Sequence, residues 1–376
     1  MGGQFYLQTF KSVFMMYNLS ALLKSTAIVP SIVFLLFFGC KKQNDVRITA
    51  STQSGDQAKS SSRQSILIGA FDLNGDGTNE QVFNEGSSIS VVQSNGVTAS
   101  YFISSGPWSI LNGTQGVIDL DGAAGAEIPI NIGSSILVIT HRTRSVKPYQ
   151  VNGSQWALLN NGISDLDGNE GAEIAINIGS SILVITHRTT SVKSYGVSGS
   201  WALLRDGITD LDGYPGNEIA INKGSAGVFI ITHRTESVKT YDVPNAGYIG
   251  WSLLENGITD LDGTEGKEIA IVTNTGLFII KHRAQSTLIY GINNGWSLLQ
   301  GGINDFNGIP GNEIAINIGT SMLIIHAYNN TTKSYYVGNI WSLNSYSNLD
   351  GLPGLEIIIN AGGRTKVIND RQGTIN

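Results

Sequence analysis

The sequence holds a single cysteine, Cys40, so the chain can form no internal disulfide. Charge is also scarce. Only 14% of residues are Asp, Glu, Lys or Arg and the formal net charge is −6, which leaves no basic field to gather phosphate backbones and excludes nucleic acid as a default partner. Long apolar runs are missing too. The longest, from Ala27 to Gly39, is shorter than the roughly 20 residues a helix needs to span a bilayer. Runs of 10–15 residues with helical periodicity do not occur, which argues against a helical repeat fold. Catalytic signatures are absent as well: there is no Cys beside a His, no Gly-x-Ser-x-Gly elbow and no Gly-rich phosphate loop with its Lys.

The residues around Cys40 carry the first positive signal. Lys24 precedes the apolar run, which ends Leu35-Leu36-Phe37-Phe38-Gly39-Cys40-Lys41-Lys42. A basic lead and a short apolar stretch have the build of a signal peptide. The Gly39-Cys40 junction resembles a bacterial lipoprotein signal, and that resemblance implies that Cys40 becomes a lipidated mature N-terminus. Residues 1–39 are then the signal, and residues 40–64 a polar, Ser/Gln-rich tether with too little apolar surface to offset the entropy of ordering it. The expected location is the bacterial outer membrane, lipid-anchored, on its periplasmic or cell-surface face.

Glycine is abundant, at 46 residues, which suits tight turns between strands far better than helices. Many of these glycines belong to one acidic loop written seven times. The first copy runs Asp72-Leu73-Asn74-Gly75-Asp76-Gly77-Thr78-Asn79-Glu80, and the others start at Asp119, Asp165, Asp210, Asp260, Asp305 and Asn348. The repeat recurs every 43 to 50 residues. Around Trp201 one unit reads as four short strands: Trp201–Thr209 leading to the loop, then Glu218–Asn222, Gly227–Arg234 and Ser237–Tyr241. Four strands per unit and seven units predict an all-β fold, a seven-bladed β-propeller over residues 65–376 with four antiparallel strands per blade. The six Trp residues each precede a loop at a similar distance, which assigns them to packing at the blade boundary. The first and last units are atypical, and ring closure is expected to pair the two ends within or beside one blade.

The acidic loop is the leading candidate site. Asp72, Asn74, Asp76, Thr78 and Glu80 alternate oxygen donors as Ca²⁺ requires, with glycines that let the backbone wrap a small ion. The other copies lack the middle acid. Asp119, Asp121 and Glu127; Asp165, Asp167 and Glu173; Asp210, Asp212 and Glu218; Asp260, Asp262 and Glu268; and Asp305, Asn307 and Glu313 are weaker candidates. In each of these the first Asp has an alternative role, capping the turn with no ion. The five histidines, His141, His187, His233, His282 and His326, share one repeat position and read as scaffold residues at a strand end.

This loop pattern resembles the FG-GAP/VCBS repeat, found in the integrin α-subunit propeller and in many bacterial surface and secreted proteins. The resemblance covers residues 65–376 and implies calcium in the first loop. It implies no single function, since the family includes adhesion proteins, sugar-binding proteins and some polysaccharide lyases. The expectation is a non-catalytic propeller that binds a glycan or protein ligand, on a monomeric head. The alternatives are a lyase-like enzyme and a structural component of the outer membrane.

Overall fold

A computed structural model of the chain describes residues 65–151, 155–244, 250–292 and 295–376. The expected signal segment, Cys40 and the expected tether lie outside the described residues. The described residues all fall within one compact unit.

The repeat pattern becomes seven antiparallel sheets of four strands, each built from consecutive segments at 66–102, 109–150, 157–196, 202–241, 252–291, 297–336 and 341–375. These are the seven blades of the expected β-propeller. Blade four shows the plan: strands Ala202–Thr209, Glu218–Asn222, Val228–Thr232 and Ser237–Tyr241 follow one another in space as in sequence. The acidic loop joins the first strand to the second. The first strand carries a bulge, its register jumping between Leu203 and Ile208, with Asp206 in the left-handed region at φ 59°. Asn161 and Asn256 repeat that conformation in blades three and five, at residue types that tolerate it better than most. Blade two departs from the plan: its first strand shrinks to Ser109–Ile110, followed by a 3₁₀ turn, Gly113–Gly116.

Alternation along the second and third strands explains why blades stack. Successive side chains point to opposite faces, and in this chain both faces are apolar. In blade four, Ile219, Ile221 and Ile231 pack against blade three, whereas Ala220, Val228, Ile230 and Tyr241 pack against blade five. Such a sheet buries nothing alone, so each blade depends on its neighbours. Six apolar seams of this kind join blade one to two and so on to blade seven.

Tryptophan serves the seams as the spacing predicts. The indole N–H of Trp108, Trp156, Trp201, Trp251 and Trp341 donates to the carbonyl of a glycine in the preceding blade's turn, at 2.5–2.8 Å. The pairing of the two ends takes a different form from that expected. Blade one and blade seven each complete their own four strands, and among the described residues no strand is exchanged between them.

Candidate functional site: the acidic loops

Each loop is first a self-capped turn. The leading acid, Asp72, Asp119, Asp165, Asp210, Asp260 or Asp305, accepts the N–H of the glycine three residues on, at 2.6–2.7 Å. Asn348 does the same in blade seven. The closing glutamate reaches back through one oxygen to the N–H of the second loop residue, as Glu218 does to Leu211 at 2.7 Å. These bonds satisfy backbone groups that the tight turn leaves without ladder partners.

The remaining oxygens separate the loops into two kinds. In blades two to five the two aspartates and the glutamate bring one oxygen each within 4.8 Å of one another: Asp119/Asp121/Glu127, Asp165/Asp167/Glu173, Asp210/Asp212/Glu218 and Asp260/Asp262/Glu268. Glu127 is fully buried, and its Oε1 has no hydrogen-bond partner. A buried oxygen that accepts nothing is costly, which fits a proton or a cation at that point.

In the first loop those oxygens are engaged. Asn74 donates its amide to Glu80 Oε1 at 3.0 Å and to Asp76, the two Asp72 oxygens take the N–H groups of Gly75 and Gly77, and Asp76 takes Thr78. Asn307 donates to Glu313 Oε1 in the same way in blade six, at 2.6 Å. Blade seven uses Asn369 on Glu356.

A second set of residues, which the sequence reading left unassigned, completes the site. Arg142, Arg188 and Arg234 each pair with the second aspartate of their own blade, Asp121, Asp167 and Asp212, at 2.8–2.9 Å. In blade five Lys281 takes that role on Asp262 at 2.6 Å, and in blade seven Arg371 pairs with Asp350. Where the third loop position is Asn, in blades one and six, the residue aligned with the arginine is uncharged: Asn95 and Ala327. This correlation between the loop residue and a cation some 20 residues later was the available signal. With Lys281 on Asp262, Arg283 is released, and it reaches the Asp212 and Glu265 carbonyls and lies over Tyr214.

Burial and the adjoining aspartates shape the electrostatics. The carboxyls of Glu127, Glu173, Glu218, Glu268 and Glu313 are pushed up to about 7, mainly by burial that penalises the charged form. Each triad in blades two to five carries three acids and one paired cation. Fully ionised it holds two uncompensated negative charges, the charge of one divalent ion. Hard oxygen donors suit Ca²⁺ or Mg²⁺, and the acid triads of blades two to five fit such an ion.

The histidines are elsewhere. His141, His187, His233 and His282 sit in the seams, each with Nδ1 2.6–2.9 Å from a tyrosine hydroxyl of the preceding blade: Tyr101, Tyr149, Tyr195 and Tyr241. Thr140, Thr186 and Thr232 face the other ring nitrogen of the last three. Burial holds these four imidazoles below their ordinary pKa. At the last seam an acid replaces the histidine: Asp370 accepts from Tyr335 at 2.8 Å and lies 2.6 Å from His326 Nε2.

Two open grooves lie beside these loops and seams. A groove of about 790 Å³ runs along the loop rim past Asp165, Asp210, Tyr214 and Glu265. A smaller one, about 270 Å³, lies at the seam of blades three and four beside Lys193, Arg234 and Glu236.

No protein-family model matches the chain, and no curated protein matches it. Among solved structures it is similar to an Agrocybe aegerita lectin that recognises non-reducing terminal N-acetylglucosamine, at 13% identity and TM-score 0.34, over 83% of this chain and 88% of the lectin. It is also similar to streptogramin B lyase, at 14% identity and TM-score 0.28, over 80% of this chain and 92% of the lyase. The AfRom2 CNH domain is a third, at 11% identity and TM-score 0.26, over 81% of this chain and 97% of that domain. Likeness this low carries no assignment of function.

Proposed function

We propose that the protein is a non-catalytic, ligand-binding propeller, held at the bacterial outer membrane through a lipid on Cys40, with Ca²⁺ in the acidic loops of blades two to five. The observation that carries the binding reading is the fate of the histidines. All five are buried, at 1–8% exposure, so the imidazoles are committed to the seams. What faces solvent includes two shallow grooves lined between them by Asp, Arg, Lys, Thr and Tyr, a composition that suits hydroxyl-rich glycans or a polar protein surface. Several weak, repeated sites on one rigid head raise the overall affinity through multivalency. The FG-GAP/VCBS resemblance of the loops agrees with this reading.

The calcium proposal rests on the converging acid triads and on the partnerless Glu127 oxygen. Asp119, Asp121 and Glu127, with their counterparts in the next three blades, would hold the ion, which supplies charge neutralisation at the turn and no reaction step. The first loop, Asp72 to Glu80, is a further candidate, in which Asn74 donates to Glu80 in place of the arginine that pairs with the second aspartate elsewhere.

A glycan array probed with residues 41–376, with and without calcium, tests the ligand class. Saturable binding to at least one glycan series, with no unsaturated uronate product released, is the expected result. Absence of binding in both conditions would remove the glycan reading, and product release would favour the lyase.

A further inference from the structure

The seams contain a contact that explains a sequence feature and then its one exception. The seventh position of the acidic loop is glycine in six copies, Gly125, Gly171, Gly216, Gly266, Gly311 and Gly354. Each packs on the preceding blade's loop backbone so closely that an added Cβ would stand 2.6–2.9 Å from it, for example 2.7 Å from the Gly168 nitrogen at Gly216. The next residue then donates its N–H to the carbonyl of the preceding loop's first acid, as Asn217 does to Asp165 at 2.9 Å. In blade one the seventh position is Thr78. The left-handed residue there is Gly77, one place earlier, so the blade-one loop does not present the backbone geometry that the other six use to dock on a predecessor.

Two other positions on the same face are polar, although Phe83 and Val92 keep the apolar character of Ile221 and Ile231. The isoleucine that opens the second strand's seam-facing row, Ile128, Ile174, Ile219, Ile269, Ile314 and Ile357, is buried in every later blade, whereas the aligned residue of blade one is Gln81, which is exposed. Ser90 stands where the third strand of blade four has Phe229, by the same register. Blade seven shows the complementary signs. Leu349 is 54% exposed, although its six counterparts are at most 1% exposed. A Cβ on Gly351 would meet nothing within 4 Å, whereas at the equivalent glycines of blades one to six the next blade's carbonyl oxygen stands 2.2–2.5 Å away. Among the described residues no backbone hydrogen bond joins the loops of blades one and seven.

We infer that blade one is a start cap whose outer face is interrupted by polar residues at Thr78, Gln81 and Ser90, and that the propeller is split between blades seven and one instead of closing through a seventh seam. Terminal units with polar outer faces are how stacked arrays end without exposing a sticky surface. Position by position, Thr78, Gln81 and Ser90 also deny that face to a second copy docking as a further blade. A split of this kind lets a polymer chain reach the axis from the side, with no need to thread a free end. The inference is independent of the proposed ligand and of calcium.

Spin labels test it in the full chain carrying Cys40→Ser. The pair Asp76→Cys with Leu352→Cys spans the split at the fifth loop position, and Ile309→Cys with Leu352→Cys samples the same positions across the seam of blades six and seven. The control should read close to the roughly 10 Å spacing of packed sheets plus the label arms, and the end pair at least about twice the control. A second end pair on the opposite rim, Glu85→Cys with Arg364→Cys, should also be long. Distances across blades seven and one equal to the control would overturn the inference.

Discussion

Gly216→Ala is expected to cost more stability than any substitution on the exposed rim, about 3 kcal/mol or more by urea denaturation. Two effects combine. The residue sits at φ +98°, where a side chain is strained, and the new Cβ would lie 2.7 Å from the Gly168 nitrogen, pushing blade four away from blade three. Gly96→Ala separates the two contributions, because Gly96 has φ +82° and nothing within 4 Å of an added Cβ. Backbone strain alone should cost about 1–2 kcal/mol there. A Gly216→Ala loss no larger than the Gly96→Ala loss would mean that the loop contact does not hold the seam.

The second large effect is a fall in stability as pH rises without divalent ions. Burial raises five glutamates to about 7 in the folded chain, from about 4.5 unfolded. Their contribution is complete below pH 4.5 and is lost as pH rises through 7, because the unfolded chain gives up those protons first. Each should cost about 1 kcal/mol between pH 6.5 and 8, measured in chelator. The four seam histidines act with the opposite sign. Their folded pKa lies below the unfolded 6.5, so their contribution is present above pH 6.5 and is lost as pH falls through the lower folded value. At pH 6.5 the unfolded imidazoles are half protonated, so up to pH 8 each histidine offsets about 0.4 kcal/mol of the glutamate loss, and the net change is still a fall. Calcium should restore the loss at pH 8 by binding the ionised triads. A flat or rising stability from pH 6.5 to 8 would contradict the electrostatics of the loops.

Much of this molecule was legible in its residues because repetition makes register visible. The nine-residue loop marked the blade count, and the Glu218–Asn222 strand falls where its alternation placed it. The tryptophans could be assigned to the blade boundary because each recurs just ahead of a loop, and five of them bond across a seam. The bulge at Arg205-Asp206 was not visible, since it hides between two apolar stretches that read as separate segments. The loop chemistry was harder. Asn74 counts as an oxygen ligand on paper, yet its amide faces Glu80, and an amide offers a donor as readily as an acceptor. The partners that decide each loop, Arg142, Arg188, Arg234 and Lys281, are distant in sequence and become neighbours only when the third strand folds back.

Calorimetric titration of chelated protein with calcium at pH 8 is the most direct test of the loop assignment. Four equivalent groups converge in blades two to five, so the stoichiometry should approach four, be unchanged by Asp72→Ala with Asp76→Ala, and drop by about one with each of Glu127→Gln and Glu218→Gln. No heat of binding, or a single site abolished by the Asp72 and Asp76 changes, would contradict it.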